Sequence, residues 1–532
     1  MVADTGVPAS LIKSVLENAL DLEQKLLAAG QSNPALLRAQ AGALAQTSDT
    51  LFSLGDTSGA LDAARKAAAI SESALKGDPK NTTWQWFLAL ARQKIGDAQV
   101  ALGQLGPALQ SYQGDFEIID RLAKSDPANP VWQNSLAIAH ERVGNTHVSL
   151  GQLGPALDSY LAEFDIFDRL AKAKADVPDL ERSLAISHEK IGDVQVARGQ
   201  LAEAFGSFKN EFAIFDRLVK ADPDNTGLQR NLSIAYERLG GVEAQLGQSG
   251  AALDSFRAEY AVLDRLSKSD PGNTDWRRSV AVVHNKMGGV EASLGRYADA
   301  LDSYKADLSI MEGLVQIDPG NTGWQQDLLV AHNLLGYVQT KQNQVAASLQ
   351  SYQAGLAIAK SLVDSDPKNS GWQNLLALSH QNVGMTQKGQ GDLSGALESY
   401  MAARSTIEAL TKSDPSNAGW QDVLLLSYLT IGELDSEQGR WSEALDSYRA
   451  ALSIGQRLVA LDPSNGGRQL TLASTYFAVG TAYAAQSHTG KAREALNSGR
   501  EIVGKLVSMS PDNVDWKADL DNFDRALEGL KP

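Results

Sequence analysis

The 532-residue chain contains no cysteine. That excludes a disulfide scaffold, a thiolate zinc site, an iron–sulfur cluster and a thiol nucleophile. No stretch approaches the roughly 18 consecutive apolar residues that a membrane-spanning helix needs. The start, Met1 to Pro8, lacks the basic and apolar segments of a secretory signal. Basic residues are in deficit, 48 Lys and Arg against 64 Asp and Glu, which leaves a net charge of −16. A polyanion meets no overall attraction on such a chain, so nucleic acid is a poor partner. These absences lead us to expect a cytoplasmic protein with neither a membrane nor a nucleic acid as partner.

What the chain does have is repetition. Asp-Pro begins at Asp78, Asp126, Asp222, Asp270, Asp318, Asp366, Asp414 and Asp462, always at 48 residues or twice that. The absent member falls at Lys174-Ala175, and Ser510-Pro511 closes the series. A length prior of roughly 150 residues per domain would give three or four domains; the period gives one array instead. Residues 30–509 read as ten 48-residue repeats. A segment over 1–29 precedes them, expected to be a half-repeat or cap helix. Residues 510–532 are expected to form a capping helix, made polar by Lys517, Asp519, Asp521 and Asp524.

Within the repeat 126–173, Trp132, Leu136, Ala139 and Val143 recur at three- and four-residue steps, the spacing of a helix face. Ala156, Tyr160, Phe164, Phe167 and Leu170 do the same in its second part. Gly151 stands between them, where a left-handed residue can close a helix. That slot is glycine throughout the array except at Asn343, which tolerates the conformation, and Ser487, which has no such excuse. Proline of the Asp-Pro turn stops the second helix, and the Asn two residues on can cap the next. Each repeat is therefore a pair of antiparallel helices, and the fold class is all-α.

These slots resemble the tetratricopeptide repeat (TPR). In 126–173 the matching residues are Val143-Gly144, His147, Gly151, Ala156 and Tyr160, and the closing proline appears one repeat later as Pro223. The likeness covers residues 30–532. It departs in length, because the usual unit is about 34 residues; the surplus is about four helical turns, shared between the two helices. The resemblance implies a right-handed superhelical α-solenoid of stacked antiparallel helix pairs, with a protein or peptide partner along the concave face lined by the first helices.

Nothing in the chain looks catalytic. Five of the seven histidines, His140, His188, His284, His332 and His380, share one slot. Equivalent residues of stacked helices lie on the order of 10 Å apart, too far for one metal with ligands at about 2.0 Å. Tyr236, Tyr428 and Tyr476 replace histidine there, which fits packing. A tryptophan slot accepts Leu180 and Leu228, which fits core filling. Recurrent carboxylates such as Asp165 and Asp168 read as solvated helix faces. No phosphate loop, zincin motif or nucleophile elbow stands out. We expect no enzyme activity, no cofactor and no metal.

Binding is the better question. Carried over slot by slot, the resemblance points to Gln93 and Asp97, Glu141 and Asn145, Glu189 and Asp193, Glu237, Asn285, Asn333, Gln381 and Glu433. Beside them runs a basic column, Lys94, Arg142, Lys190, Arg238 and Lys286. These charges either pair between neighbouring repeats, at about 0–1 kcal/mol each, or form a charged groove for a partner segment. The family's clamp for a C-terminal carboxylate needs lysine where this chain has Gln93, Glu141, Glu189 and Glu237, so that peptide class is disfavoured. In 318–413 the pattern changes to Tyr337, Lys341, Met385 and Lys388. Spacings of four and three put each pair on one helix face, a candidate docking patch to be set against ordinary surface drift. The functional expectation is a protein–protein interaction scaffold. The alternative is the sensor or regulatory arm of a larger signalling protein, NTPase- or protease-linked. The oligomeric state is not set by the sequence.

Overall fold

The computed structural model describes residues 34–174, 177–510 and 513–530. The segment expected to be a cap helix over 1–29, the start of the first repeat, and the turn positions Ala175 and Pro511 lie outside the described residues. Among the described residues there are 21 helices and no strand. The chain divides between Leu266 and Ser267 into two compact units. Within each, a helix packs on the helices before and after it, giving antiparallel pairs stacked on one another.

First helices of 20 residues, such as Thr82–Ala101, alternate with second helices of 21, such as Leu105–Ser125. Three residues close each pair and four separate it from the next, so the period carries no insertion. The four-residue link is the Asp-Pro-x-Asn turn. Asn81 accepts a hydrogen bond from the Trp84 amide at 3.2 Å, and Asn321, Asn369 and Asn417 do the same for Trp324, Trp372 and Trp420 at 3.1 Å. This satisfies one of the amides that every helix start leaves open. The glutamine after Trp84, Trp324, Trp372 and Trp420 turns back and donates to the proline carbonyl, at 2.8 Å for Gln85 to Pro79 and 2.5 Å for Gln373 to Pro367. Where the turn sequence is lost, Val177 precedes the helix with no side-chain cap. Asn225→Ala should therefore cost about 1 kcal/mol, read as a lower urea midpoint; an unchanged midpoint would show that the cap at Leu228 contributes nothing.

The three-residue link is left-handed at Gly103 (φ 72°) and at seven further glycines in the same slot. Asn343 and Ser487 adopt it too, at φ 59° and 61°. Ser487 donates to Ala484 and His488 to Tyr483, the same closing bonds that Gly103 and Gln104 make to Val100 and Gln99. The turn thus imposes the conformation on serine, at roughly 1–2 kcal/mol.

The core lies between helices of a pair and between successive pairs. In eight of the first helices a glycine faces an aromatic ring of the second: a Cβ added at Gly96 would sit 2.4 Å from the Tyr112 ring, and one at Gly144 would sit 2.6 Å from Tyr160. Ala108 and Ala156, beside those rings, are fully buried. The tryptophan slot fills core, with Trp132 and Trp420 packed against clusters that include Leu122 and Leu424. The histidine slot packs as well. His140 lies 4.8 Å from Phe116 and His188 4.8 Å from Phe164, while Tyr236 keeps the same relation to Phe212 at 4.9 Å. Burial holds both imidazoles below the usual histidine range. The polar helix Val514–Gly529 ends the described chain, with Phe523 buried against Gly499.

Candidate functional site

The buried stripe of helix Leu105–Ser125 runs Ala108, Tyr112, Asp115, Ile118, Ile119 and Leu122. An acid therefore sits in the middle of an apolar face. The same slot holds Glu163, Glu211 and, in the second half, Asp307, all at most 3% exposed. Burial pushes the Asp115, Glu163 and Asp307 carboxyls up to about 7 and Glu211 up to about 9. Both Glu211 oxygens are sealed from solvent without a hydrogen-bond donor.

The following first helix turns its base toward that acid and toward acids of the preceding first helix. Lys190 lies 2.7 Å from Glu141 and 3.2 Å from Glu163, which also accepts from the Ser187 hydroxyl. Arg238 lies 2.8 Å from Glu189 and 2.9 Å from Asp193, with the charge of Glu237 beside them. Arg142 reaches Asp97 at 3.2 Å, and Tyr112 donates its hydroxyl to the same carboxylate at 2.7 Å. Lys94 pairs with Asp49 at 2.5 Å. Asn145 accepts from the Tyr160 hydroxyl at 2.6 Å.

Of the two readings of the basic column, pairing between neighbouring repeats and a charged groove, this geometry supports the pairing. Lys94, Arg142, Lys190 and Arg238 tie each repeat to the one before it, because stacked first helices stand close enough for long side chains to bridge. Glu141 and Glu189 are engaged in the same ties. Partly buried and networked, these contacts differ from isolated surface pairs. The reading of recurrent carboxylates as solvated faces suits Asp168, which holds exposed Lys172 at 2.6 Å, but not Asp115, Glu163 or Glu211. A sequence signal for the buried set existed. Gly355, Ala403 and Ala451 occupy the acid slot in the later repeats, where Leu334, Asn382 and Thr430 occupy the base slot. Acid and base are both absent from these repeats, with Asp307 the last acid and Leu334 already in the slot of its base.

That exchange changes the surface of the second half. Asn285 still serves the ladder, donating to Asp307 at 3.3 Å. From helix Thr322–Lys341 onward the ladder is gone, and Asn333 moves its side chain against Gly355, where the acid would have been. Val330, Leu378 and Leu426, each 48 residues from the last, are exposed together with Tyr337 and Met385, all at 38–50%. Between helices Ser370–Gly389 and Ala418–Glu437 lies a cavity of about 400 Å³ bordered by Gln381, Met385, Tyr400 and Leu426. Gln381 bridges the two helices by donating to the Ser427 hydroxyl at 3.2 Å. Of the four residues singled out here from the sequence, Tyr337 and Met385 are exposed and Lys341 lies over the Tyr337 ring at 5.4 Å. Lys388 instead reaches Glu437 at 2.7 Å in the next repeat. The three apolar residues of the stripe were not among the sequence candidates, since an aliphatic slot on a helix reads as core.

Among the described residues no group of three or more His, Cys, Asp or Glu could hold a metal ion, and no helix is long and apolar enough to cross a membrane. No family model matches the chain, and no curated protein is similar to it in sequence. Solved structures with a similar helical arrangement exist. The apo form of RapI matches at 16% identity with a TM-score of 0.45, over 79% of this chain and 99% of that one. A Rap protein complexed with competence and sporulation factor matches at 15% identity and 0.36, over 80% and 99%. A signal transduction ATPase with numerous domains and a tetratricopeptide repeat sensor, from Pyrococcus horikoshii, matches at 12% and 0.46, over 79% of this chain and 55% of that one. Likeness of this degree assigns no function.

Proposed function

We propose that the chain is a binding scaffold, a long-repeat variant of the tetratricopeptide type, that takes a protein or peptide segment along the first-helix face of repeats 318–461. The observation that supports it is the exposed apolar stripe of Val330, Tyr337, Leu378, Met385 and Leu426. Apolar residues scattered singly on a surface need no explanation, whereas a contiguous set recurring over three repeats marks an interaction surface. The cavity beside Met385 and Leu426 is of a size to take an anchoring side chain. Lys341, stacked over Tyr337, adds a positive charge at one edge. The occupant that fits is a segment presenting apolar side chains along its length, with its polar side left to solvent. The role is binding rather than catalysis, since what recurs is a surface and not a single asymmetric constellation.

The test is co-purification with the tagged chain followed by mass spectrometry, repeated with Met385→Glu/Leu426→Glu. Both side chains are exposed, so the variant should fold, which circular dichroism checks. Capture of the partner should fall at least tenfold. Undiminished capture by the folded variant would move the binding face elsewhere.

A further inference from the structure

Arg142 separates two cavities in the first half. One, of about 300 Å³, contains Asp97, Tyr112 and Asn145. The other, of about 340 Å³, is walled by Trp86, Leu90, Ile119 and Ile138 and has Asp115 in its lining. Asp115 is 3% exposed. Among the described residues no hydrogen bond reaches its carboxyl and no cation stands within 4 Å of it. The two arginines whose charges are felt there are bonded elsewhere. Arg142 is held by Asp97 at 3.2 Å, and Arg92 donates to the Gly114 carbonyl at 3.2 Å and to Glu72 at 3.4 Å.

The opening follows from the sequence. One repeat later the acid is Glu163, a methylene longer, and it meets both Lys190 and the Ser187 hydroxyl. Here the acid is the shorter Asp115, and Ala139 stands in the serine slot. Trp86 is likewise particular to this repeat; its slot holds Asn134, Arg182 and Arg230 afterwards. A shortened acid, a missing hydroxyl and an added indole thus coincide around one space.

We propose that this cavity binds the basic side chain, arginine or lysine, of a peptide or protein segment. The apolar walls accept the methylene stem, which such residues bury readily. The Trp86 ring lies in the lining, where a cation can stack on it, and Asp115, also in the lining, supplies a charge-assisted hydrogen bond. Glu141 and Gln93 add acceptors beside the cavity, and the positive charge of Arg142 is matched by Asp97. The site is separate from the apolar face of the second half, so either can fail alone.

Binding a cation here requires the Asp115 carboxylate, which burial has pushed up to about 7. The charged groups facing it are Arg92 and Asp97 from the preceding first helix and Glu141 and Arg142 from the following one. Binding therefore releases a proton, and affinity should rise between pH 6 and pH 8.

A random displayed-peptide library selected on the full chain tests this. Enriched peptides should contain an Arg or Lys whose replacement by alanine weakens binding at least tenfold, by fluorescence anisotropy. Against Asp115→Asn, which removes a carboxyl that accepts no hydrogen bond, the same replacement should change binding less than twofold. Trp86→Ala should weaken the parent peptide, and Met385→Glu should leave it unchanged. The proposal is overturned if no basic residue is enriched, if its contribution persists in Asp115→Asn, or if the peptides lose affinity with Met385→Glu instead.

Discussion

Glu211→Gln is expected to raise the thermal stability of the chain at pH 8.5 and to flatten its dependence on pH down to 6.5. Glu211 is fully buried, and neither carboxyl oxygen finds a donor. Glu189 and Asp193 face it from one neighbouring helix and Arg238 from the other, but Arg238 is bonded to those two acids. Burial comes first in pushing its carboxyl up to about 9, and the charge of Glu189 adds to it. Unfolded, the same group ionises near 4.5. Between these values the native chain keeps a proton that the unfolded chain has released. Its contribution is therefore complete below about 4.5 and is lost as pH rises through 9. At about 1.4 kcal/mol per unit, raising pH from 6.5 to 8.5 should remove roughly 2 kcal/mol. The window avoids His140 and His188, whose lowered values place their titration beneath it. Since Asp115, Glu163 and Asp307, near 7, titrate in its lower part in wild type and variant alike, the difference between the two curves reads Glu211. Melting curves at pH 6.5, 7.5 and 8.5 decide the matter. A wild-type curve that does not move, or a glutamine variant less stable at pH 8.5, would mean that Arg238 turns to Glu211 and holds it charged.

Two glycines of one repeat should respond to alanine in opposite directions. A Cβ at Gly192 would stand 2.4 Å from the Phe208 ring, which is 2% exposed and closed in by Ala204 and Val242. The ring has nowhere to go, so the helices must part, and overpacking of this kind costs about 2–3 kcal/mol. Gly206, in helix Leu201–Ala221, has nothing within 4 Å of its missing Cβ and lies on an exposed surface. Alanine there removes backbone freedom from the unfolded chain and should add about 0.5–1 kcal/mol. Urea unfolding of both variants reads the difference. Equal midpoints would show that the ring moves aside freely and that glycine is not required for the close approach.

The framework was legible because it rests on local rules repeated many times. Asp-Pro-x-Asn stops one helix and caps the next by short-range bonds, and a glycine in a fixed slot announces a left-handed turn. Ser487 shows the power of that register, since the turn prevails over the residue. The polar interior was not legible, because a carboxylate on a helix looks the same whether it faces water or a stacked neighbour. What distinguishes Glu211 from Asp168 is its place between Ala204, Phe208 and Phe215 on the buried stripe. Orientation of the basic column was equally hidden. Lys190 could have pointed outward, and only the approach of Glu141 and Glu163 from two helices fixes it inward. The docking stripe escaped for the converse reason. Val330, Leu378 and Leu426 read as core, and only the departure of the ladder beside them leaves them uncovered.

Every seam between the described repeats except the one before Pro178 has the same composition: four residues of turn, an asparagine cap, and packing that reaches no farther than the neighbouring repeat. Such a chain can gain or lose a block of 48 residues in a single genetic event without any junction being redesigned. Over Ser370–Gly389 and Leu393–Ser413 a removed block would strand no buried charge, because Ala403 and Asn382 ask no ionic partner of their neighbours and the one tie lost is the partly exposed pair of Lys388 with Glu437. Copy number is thus a heritable dial on reach, and the places where the dial turns most freely are those where the interior has already become apolar.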